Sequence, residues 1–180
     1  MFKHMGVDYR RLIQCAGNLA HRDLLGDVKS IRLGYRGNVE DLSTVPTPHL
    51  ASLVSTVTDT VGIYKVTGRD FVAILDSLEC EKLLINKQKL GRDETQALLR
   101  VMETRVEDVF LTNVDIDIKA LTEYSGQGRC RYTQIASDTE VKFTRKLARW
   151  ANKKEWYYRR EKTREHIYPR EEVRVHLKKN

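Results

Sequence analysis

Between residues 28 and 136 the chain switches repeatedly between two spacings of apolar side chains. Every second residue is apolar at Ile31-Arg-Leu33, Val61-Gly-Ile63, Leu83-Leu-Ile85 and Val109-Phe-Leu111, with a weaker instance at Cys130-Arg-Tyr132. This is the period of a strand with one buried face, and it predicts strands near 30–34, 61–65, 82–86 and 108–112. Between them, apolar residues fall at i, i+3, i+4 and i+7: Leu50, Leu53, Val54 and Val57, then Phe71, Ile74, Leu75 and Leu78, then Thr95, Leu98, Leu99 and Met102. Each set lines one stripe of a helix. The 38–49 stretch, with Pro46 and Pro48, reads as one long loop.

Counted from the first apolar residue of each strand, the spacings are 30, 22, 26 and about 21 residues, close to the length of one strand, turn, helix and turn. A unit of that size cannot bury both its strand and its helix, but stacked neighbours can. The ends differ from the middle. Residues 8–25, with Asp8 as N-cap and apolar positions from Tyr9 to Ala20, predict an amphipathic helix that covers the first unit. At the other end, Ser137-Asp-Thr-Glu140 has capping-box spacing and precedes Phe143, Leu147, Trp150 and Ala151, a helix expected to run on to about Arg164. Pro169 stops anything helical before the alternating Val173, Val175 and Leu177 of the tail. The expected organisation is a helical cap over 1–27, strand–helix repeats over 28–136, and a basic C-terminal helix and tail over 137–180.

Within the repeats, Leu83-Leu-Ile-Asn-Lys-Gln-Lys-Leu90-Gly91 resembles the strand-and-turn signature of a leucine-rich repeat of the ribonuclease-inhibitor type, also found in NOD-like receptors. Leu83, Ile85 and Leu90 stand at the leucine positions. The family's turn asparagine is replaced by Gln88 here, Val114 in the next unit, Val66 in the preceding one and Arg36 in the first. The resemblance implies an α/β fold: a short solenoid of parallel strands with convex helices and a helical cap at each end. The alternative is an ordinary small α/β domain built round a parallel sheet, since βα alternation alone requires no more.

Charge sharpens the picture at one end only. The 180 residues carry +7, yet residues 141–180 hold 14 Lys and Arg against five Glu, leaving the first 140 residues near neutral at −2. The basic residues are interleaved with Trp150, Trp156, Tyr157, Tyr158 and Tyr168. Either they form a solvated face whose stems cover aromatic rings, or they form a phosphate-binding surface on which bases stack.

Candidate chemistry changes little. The five histidines are scattered, no H-E-x-x-H or paired-Cys spacing occurs, and no Ser sits in a G-x-S-x-G elbow. Gly34-Tyr-Arg-Gly37 and Gly126-Gln-Gly128 lack the remainder of a nucleotide loop and read as turns, and Asp115 and Asp117 read as helix-capping carboxylates. Cys15, Cys80 and Cys130 are far apart and read as reduced, buried thiols. No apolar run reaches the roughly 20 residues of a membrane span. The expectation is a cytoplasmic protein, with the nucleus as the alternative, that is not an enzyme and uses no cofactor or metal.

Residues between the buried strand positions point to the opposite, concave face: Arg32, Gly34, Gly62, Tyr64, Leu84, Asn86, Phe110, Thr112, Arg131 and Thr133. Arg32, Tyr64, Leu84, Asn86, Phe110 and Thr112 are the candidate contacts to another protein, in an interaction or scaffolding role. Lys153, Lys154, Arg159, Arg160, Lys162 and Arg164 are the candidate contacts to nucleic acid in the alternative reading.

Overall fold

The computed structural model describes residues 4–6, 29–33, 47–66, 68–86, 88–137, 144–154, 156–164 and 171–179. In chain order these form β1 (His4–Gly6), β2 (Ser30–Leu33), α1 (Thr47–Val54), β3 (Thr60–Tyr64), α2 (Gly68–Asp76), β4 (Lys82–Asn86), α3 (Arg92–Thr104), β5 (Asp108–Thr112), α4 (Ile118–Glu123), β6 (Tyr132–Ser137), α5 (Thr144–Lys153), β7 (Trp156–Arg164) and β8 (Glu171–Lys179). All eight strands belong to one open sheet ordered β1-β2-β3-β4-β5-β6-β8-β7. The first six are parallel and lie in sequence order, and the last two join antiparallel.

The strand periodicity decides which side the helices take. Ile31, Val61, Leu83 and Val109 form one row of aligned residues and Leu33, Ile63, Ile85 and Leu111 the next, and all eight are buried. They share a single core with Phe71, Ile74, Leu75 and Leu78 of the second helical unit and with Leu98, Leu99 and Met102 of the third. Consecutive helices touch one another along the whole series from α1 to α5. Polar ties link the same units. Arg105 donates from Nη1 to the carbonyls of Asp76 and, at 3.1 Å, Leu78, closing the C-terminal end of α2, while Glu94 Oε1 accepts from the Gly68 N–H at 3.2 Å. Thr95, the polar member of its stripe, is buried because its hydroxyl donates to the Gly91 carbonyl at 2.7 Å. Asp117 caps α4, accepting from the Lys119 and Ala120 N–H groups, as expected for a capping carboxylate.

Several expectations are corrected. The last helix ends at Lys153 and does not reach Arg164: Trp156–Arg164 is a nine-residue strand paired along its length with β8. The tail forms β8, which lies inside the sheet between β6 and β7. The reason is burial. Trp156 of β7 and Val175 and Leu177 of β8 are all buried, and pairing the two segments as strands brings them into one core. Pro48 sits in the first turn of α1, where its missing N–H costs nothing, so the long loop ends earlier than expected. The short strand His4–Gly6 was not foreseen. The proposed helix over 8–25, the Gly34-Tyr-Arg-Gly37 turn and the capping box over 137–140 fall wholly or largely outside the described residues.

The C-terminal end of the sheet is closed by aromatic rings. Trp150 and Trp156 lie with ring centroids 5.5 Å apart, and Tyr124 stacks on Trp150 at 6.1 Å. Each indole N–H has a buried carbonyl to donate to, Tyr124 O at 3.2 Å for Trp150 and Gly126 O at 3.0 Å for Trp156. The turn that supplies Gly126 runs against the end of α3, and Gly128 there has no room for a side chain. A Cβ would meet the Glu103 Cα and lie 2.9 Å from the Met102 and Glu103 carbonyl oxygens. Gly128→Ala is therefore expected to cost about 1–3 kcal/mol in urea unfolding. Gly91→Ala, whose new methyl meets only the movable Glu94 carboxylate, should cost well under about 1 kcal/mol. Equal costs would mean that the turn yields easily.

Candidate functional site

The face of the sheet away from the helices carries the alternate strand residues, and the pairing register fixes its rows. One row runs Gly6, Arg32, Gly62, Leu84, Phe110, Gln134, His176 and Arg159, crossing every strand. To one side lie Thr60, Lys82, Asp108, Tyr132, Lys178 and Tyr157, and to the other Tyr64, Asn86, Thr112 and Ala136.

The protein-contact candidates thus share a face, but less evenly than the sequence implies. Leu84 and Phe110 are direct cross-strand neighbours, both half-buried. Tyr64 is not in their row: it lies opposite Asn86, diagonal to Leu84, with the Lys65 ammonium 5.4 Å from its ring centroid. Asn86 lies opposite Thr112 and keeps a buried Oδ1 without a hydrogen-bond partner. Arg32 holds the register position opposite Gly62.

On β6 the expectation is wrong by one residue. Thr133 was assigned to the open face and is buried in the core, aligned with Val109 and Leu177, and Arg131 precedes the strand. Tyr132 and Gln134 take the open positions. A polar residue on the core side disguised the alternation, and it is accommodated there because its hydroxyl lies 3.6 Å from the buried Cys130 Sγ.

This shift creates a cluster that the sequence reading missed. The Phe110 and Tyr132 rings lie 5.6 Å apart, and Tyr132 and His176 6.1 Å apart. The Tyr132 hydroxyl is 2.6 Å from His176 Nδ1 and donates to Gln134 Oε1 at 3.2 Å. Both contacts are satisfied when His176 Nδ1–H donates to the phenolic oxygen and the hydroxyl proton goes to Gln134. The chain His176 to Tyr132 to Gln134 links three side chains beside Phe110. Its signal in the sequence was the alternation of Val173, Val175 and Leu177, which marks His176 as outward-facing once β8 is recognised as an inner strand.

The nucleic-acid candidates do not form one helical arm. Lys153 ends α5 and Lys154 follows it. Arg159 faces the open side opposite His176, Arg160 pairs with the buried Val175 and so faces the helix side, and Lys162 and Arg164 take the register positions opposite Val173 and Glu171. The strand pleat splits the set between two faces.

Two thiols are withdrawn from chemistry. Cys80 and Cys130 are buried and free, and burial pushes each thiol from 9.0 up to about 11. Such thiols stay protonated at neutral pH and lie out of reach of solvent. Among the described residues no His, Cys, Asp and Glu group could hold a metal ion, and no helix is long and apolar enough to cross a membrane. The open face presents apolar and aromatic contact area and hydrogen-bonding groups.

Neither a scan against protein-family models, nor a search of curated proteins, nor a search of solved structures finds a match to this chain.

Proposed function

We propose that the protein is a non-enzymatic interaction or scaffolding module, built as a short solenoid of the leucine-rich-repeat kind, which binds another protein on its open strand face. The observation that carries this reading is the contiguous patch of Leu84, Phe110 and Tyr132 on three adjacent strands, on the face the helices leave free. Aromatic residues held rigid beside an apolar neighbour are what interface hot spots are made of.

Repeat character is supported by equivalent turns. Lys65 and Asn113 each follow a strand directly and each adopt positive φ, 54° and 51°. The family's asparagine role is not reproduced by Gln88, whose buried amide makes no hydrogen bond. The turn is held by backbone instead: Asp115 N–H donates to Gln88 O at 2.9 Å and Leu90 N–H to Asp115 O at 2.7 Å.

Phe110→Ala and Tyr132→Ala are expected to weaken partner binding by about 1–3 kcal/mol while leaving the melting temperature nearly unchanged, because both rings are half-buried on the free face. A photo-crosslinking residue at Phe110 should capture the partner, and the same residue at Arg92 on α3 should not. If either alanine variant mainly lowers the melting temperature, or crosslinks form equally from the helix side, the open face is not the binding surface.

A further inference from the structure

The sheet is not symmetric in how it ends. Its C-terminal boundary is the full length of β7, nine residues, and no described strand pairs with its outer edge. An edge of that length presents a row of backbone N–H and C=O groups that can template a further strand. The side chains along it are strongly biased: Arg159, Arg160, Lys162 and Arg164 against the one acid, Glu161.

The pleat distributes that charge in a telling way. Arg159 lies opposite His176 on the open face, Arg160 opposite the buried Val175 on the helix face, and both are exposed. Cations therefore flank the edge on both sides of the sheet, unequally: Lys162 and Arg164 share the register side of Arg160, and Glu161 shares that of Arg159. Tyr157, 51% exposed, adds a ring on the open face beside Lys178.

We infer that the outer edge of β7 accepts an extended acidic segment of another polypeptide as a ninth strand. Three partners compete, and the observations separate them. A second copy of β7 would set Arg and Lys against Arg and Lys, and like charges directly opposite oppose pairing. A nucleic-acid strand lying along the helix side would meet most of these cations, but it would leave the edge N–H and C=O groups unpaired. An added peptide strand pairs those groups and sends consecutive side chains to alternate faces, so carboxylates at neighbouring positions meet cations on both. The surface is separate from the Leu84, Phe110 and Tyr132 patch, and the inference does not rest on the reading of that patch.

The test uses the full chain and a fluorescent peptide of about eight residues, Glu-Val-Glu-Glu-Val-Glu-Thr-Glu, followed by anisotropy at about 50 and 200 mM salt. Saturable binding is expected at low salt. It should weaken about tenfold or more when alternate peptide amides are N-methylated, which removes main-chain pairing and keeps every charge. It should weaken as much in Arg159→Glu/Arg160→Glu, but little in Arg69→Glu/Arg92→Glu, an equal charge change at exposed helix positions. Circular dichroism of each variant checks that the fold is kept, and Phe110→Ala should bind the peptide as the wild type does. Absence of binding at low salt, or equal binding of the N-methylated peptide, overturns strand addition. So does a single-stranded RNA of similar length that binds more tightly and displaces the peptide, an outcome that assigns the cations to nucleic acid.

Discussion

Trp156→Ala is expected to lower the unfolding free energy by about 3–5 kcal/mol, the range for emptying a buried aromatic site. Its indole is buried against Trp150 and Tyr124 and donates to the Gly126 carbonyl, so one side chain joins β7, α5 and the turn before β6. Trp156→Phe keeps a ring but leaves that carbonyl without its donor, and should cost about 1–3 kcal/mol. Urea unfolding followed by far-ultraviolet circular dichroism measures both. A loss below about 1 kcal/mol for the alanine variant would mean that the hairpin is not part of the cooperative core.

The second large effect is alkaline. In the folded chain burial holds the Cys80 and Cys130 thiols protonated up to about 11, whereas unfolding returns them to about 9.0. The folded state thus binds protons more tightly than the unfolded state. The resulting stability is complete below about pH 9 and disappears as pH rises through about 11, because the unfolded chain ionises first. Near pH 10.5 each thiol should have lost on the order of 2 kcal/mol. Burial also raises the Tyr124 phenol, so a control is needed to isolate the thiols. Under reducing conditions, the stability lost between about pH 8 and 10.5 should be several kcal/mol smaller for Cys80→Ala/Cys130→Ala than for the wild type. Identical losses would show that the thiols titrate alike in both states.

What could be read in advance follows from where the pairing information lies. The strands at 30–33, 60–64, 82–86 and 108–112 were legible because branched apolar residues on one side alternate with polar or lone apolar ones on the other. The helices were legible for the same reason: Phe71, Ile74, Leu75 and Leu78 are all buried, as are Thr95, Leu98, Leu99 and Met102. The β7 segment was misread because Trp-Tyr-Tyr-Arg-Arg-Glu-Lys suits a charged helix as well as a strand. What decides is β8, a partner distant in sequence, and strand preference depends on such neighbours. The slip on β6 has the same origin: Thr133 became a core residue through contacts with Cys130 and with the row of Val109 and Leu177. The Tyr132 and His176 pair joins residues 44 apart, and no local pattern announces it.

The order of the strands also bears on how the chain reaches this state. Aligned residues in successive parallel strands are 30, 22, 26 and 24 positions apart, from Ser30 through Thr60, Lys82 and Asp108 to Tyr132. Closing loops of such similar length differs in entropic cost by less than about 0.6 kcal/mol, so none of these steps is a bottleneck in itself. Pairing can start at any unit and spread to its neighbours. The hairpin forms independently, since Arg164 and Glu171 meet only seven residues apart, but joining it to the body pairs Tyr132 with Lys178 across 46 positions. Folding is therefore expected to pass through a species in which the parallel strands are ordered and β6 still lacks β8. Pulse-labelled hydrogen exchange would detect it as early protection of the β4 and β5 amides and late protection of those in β8.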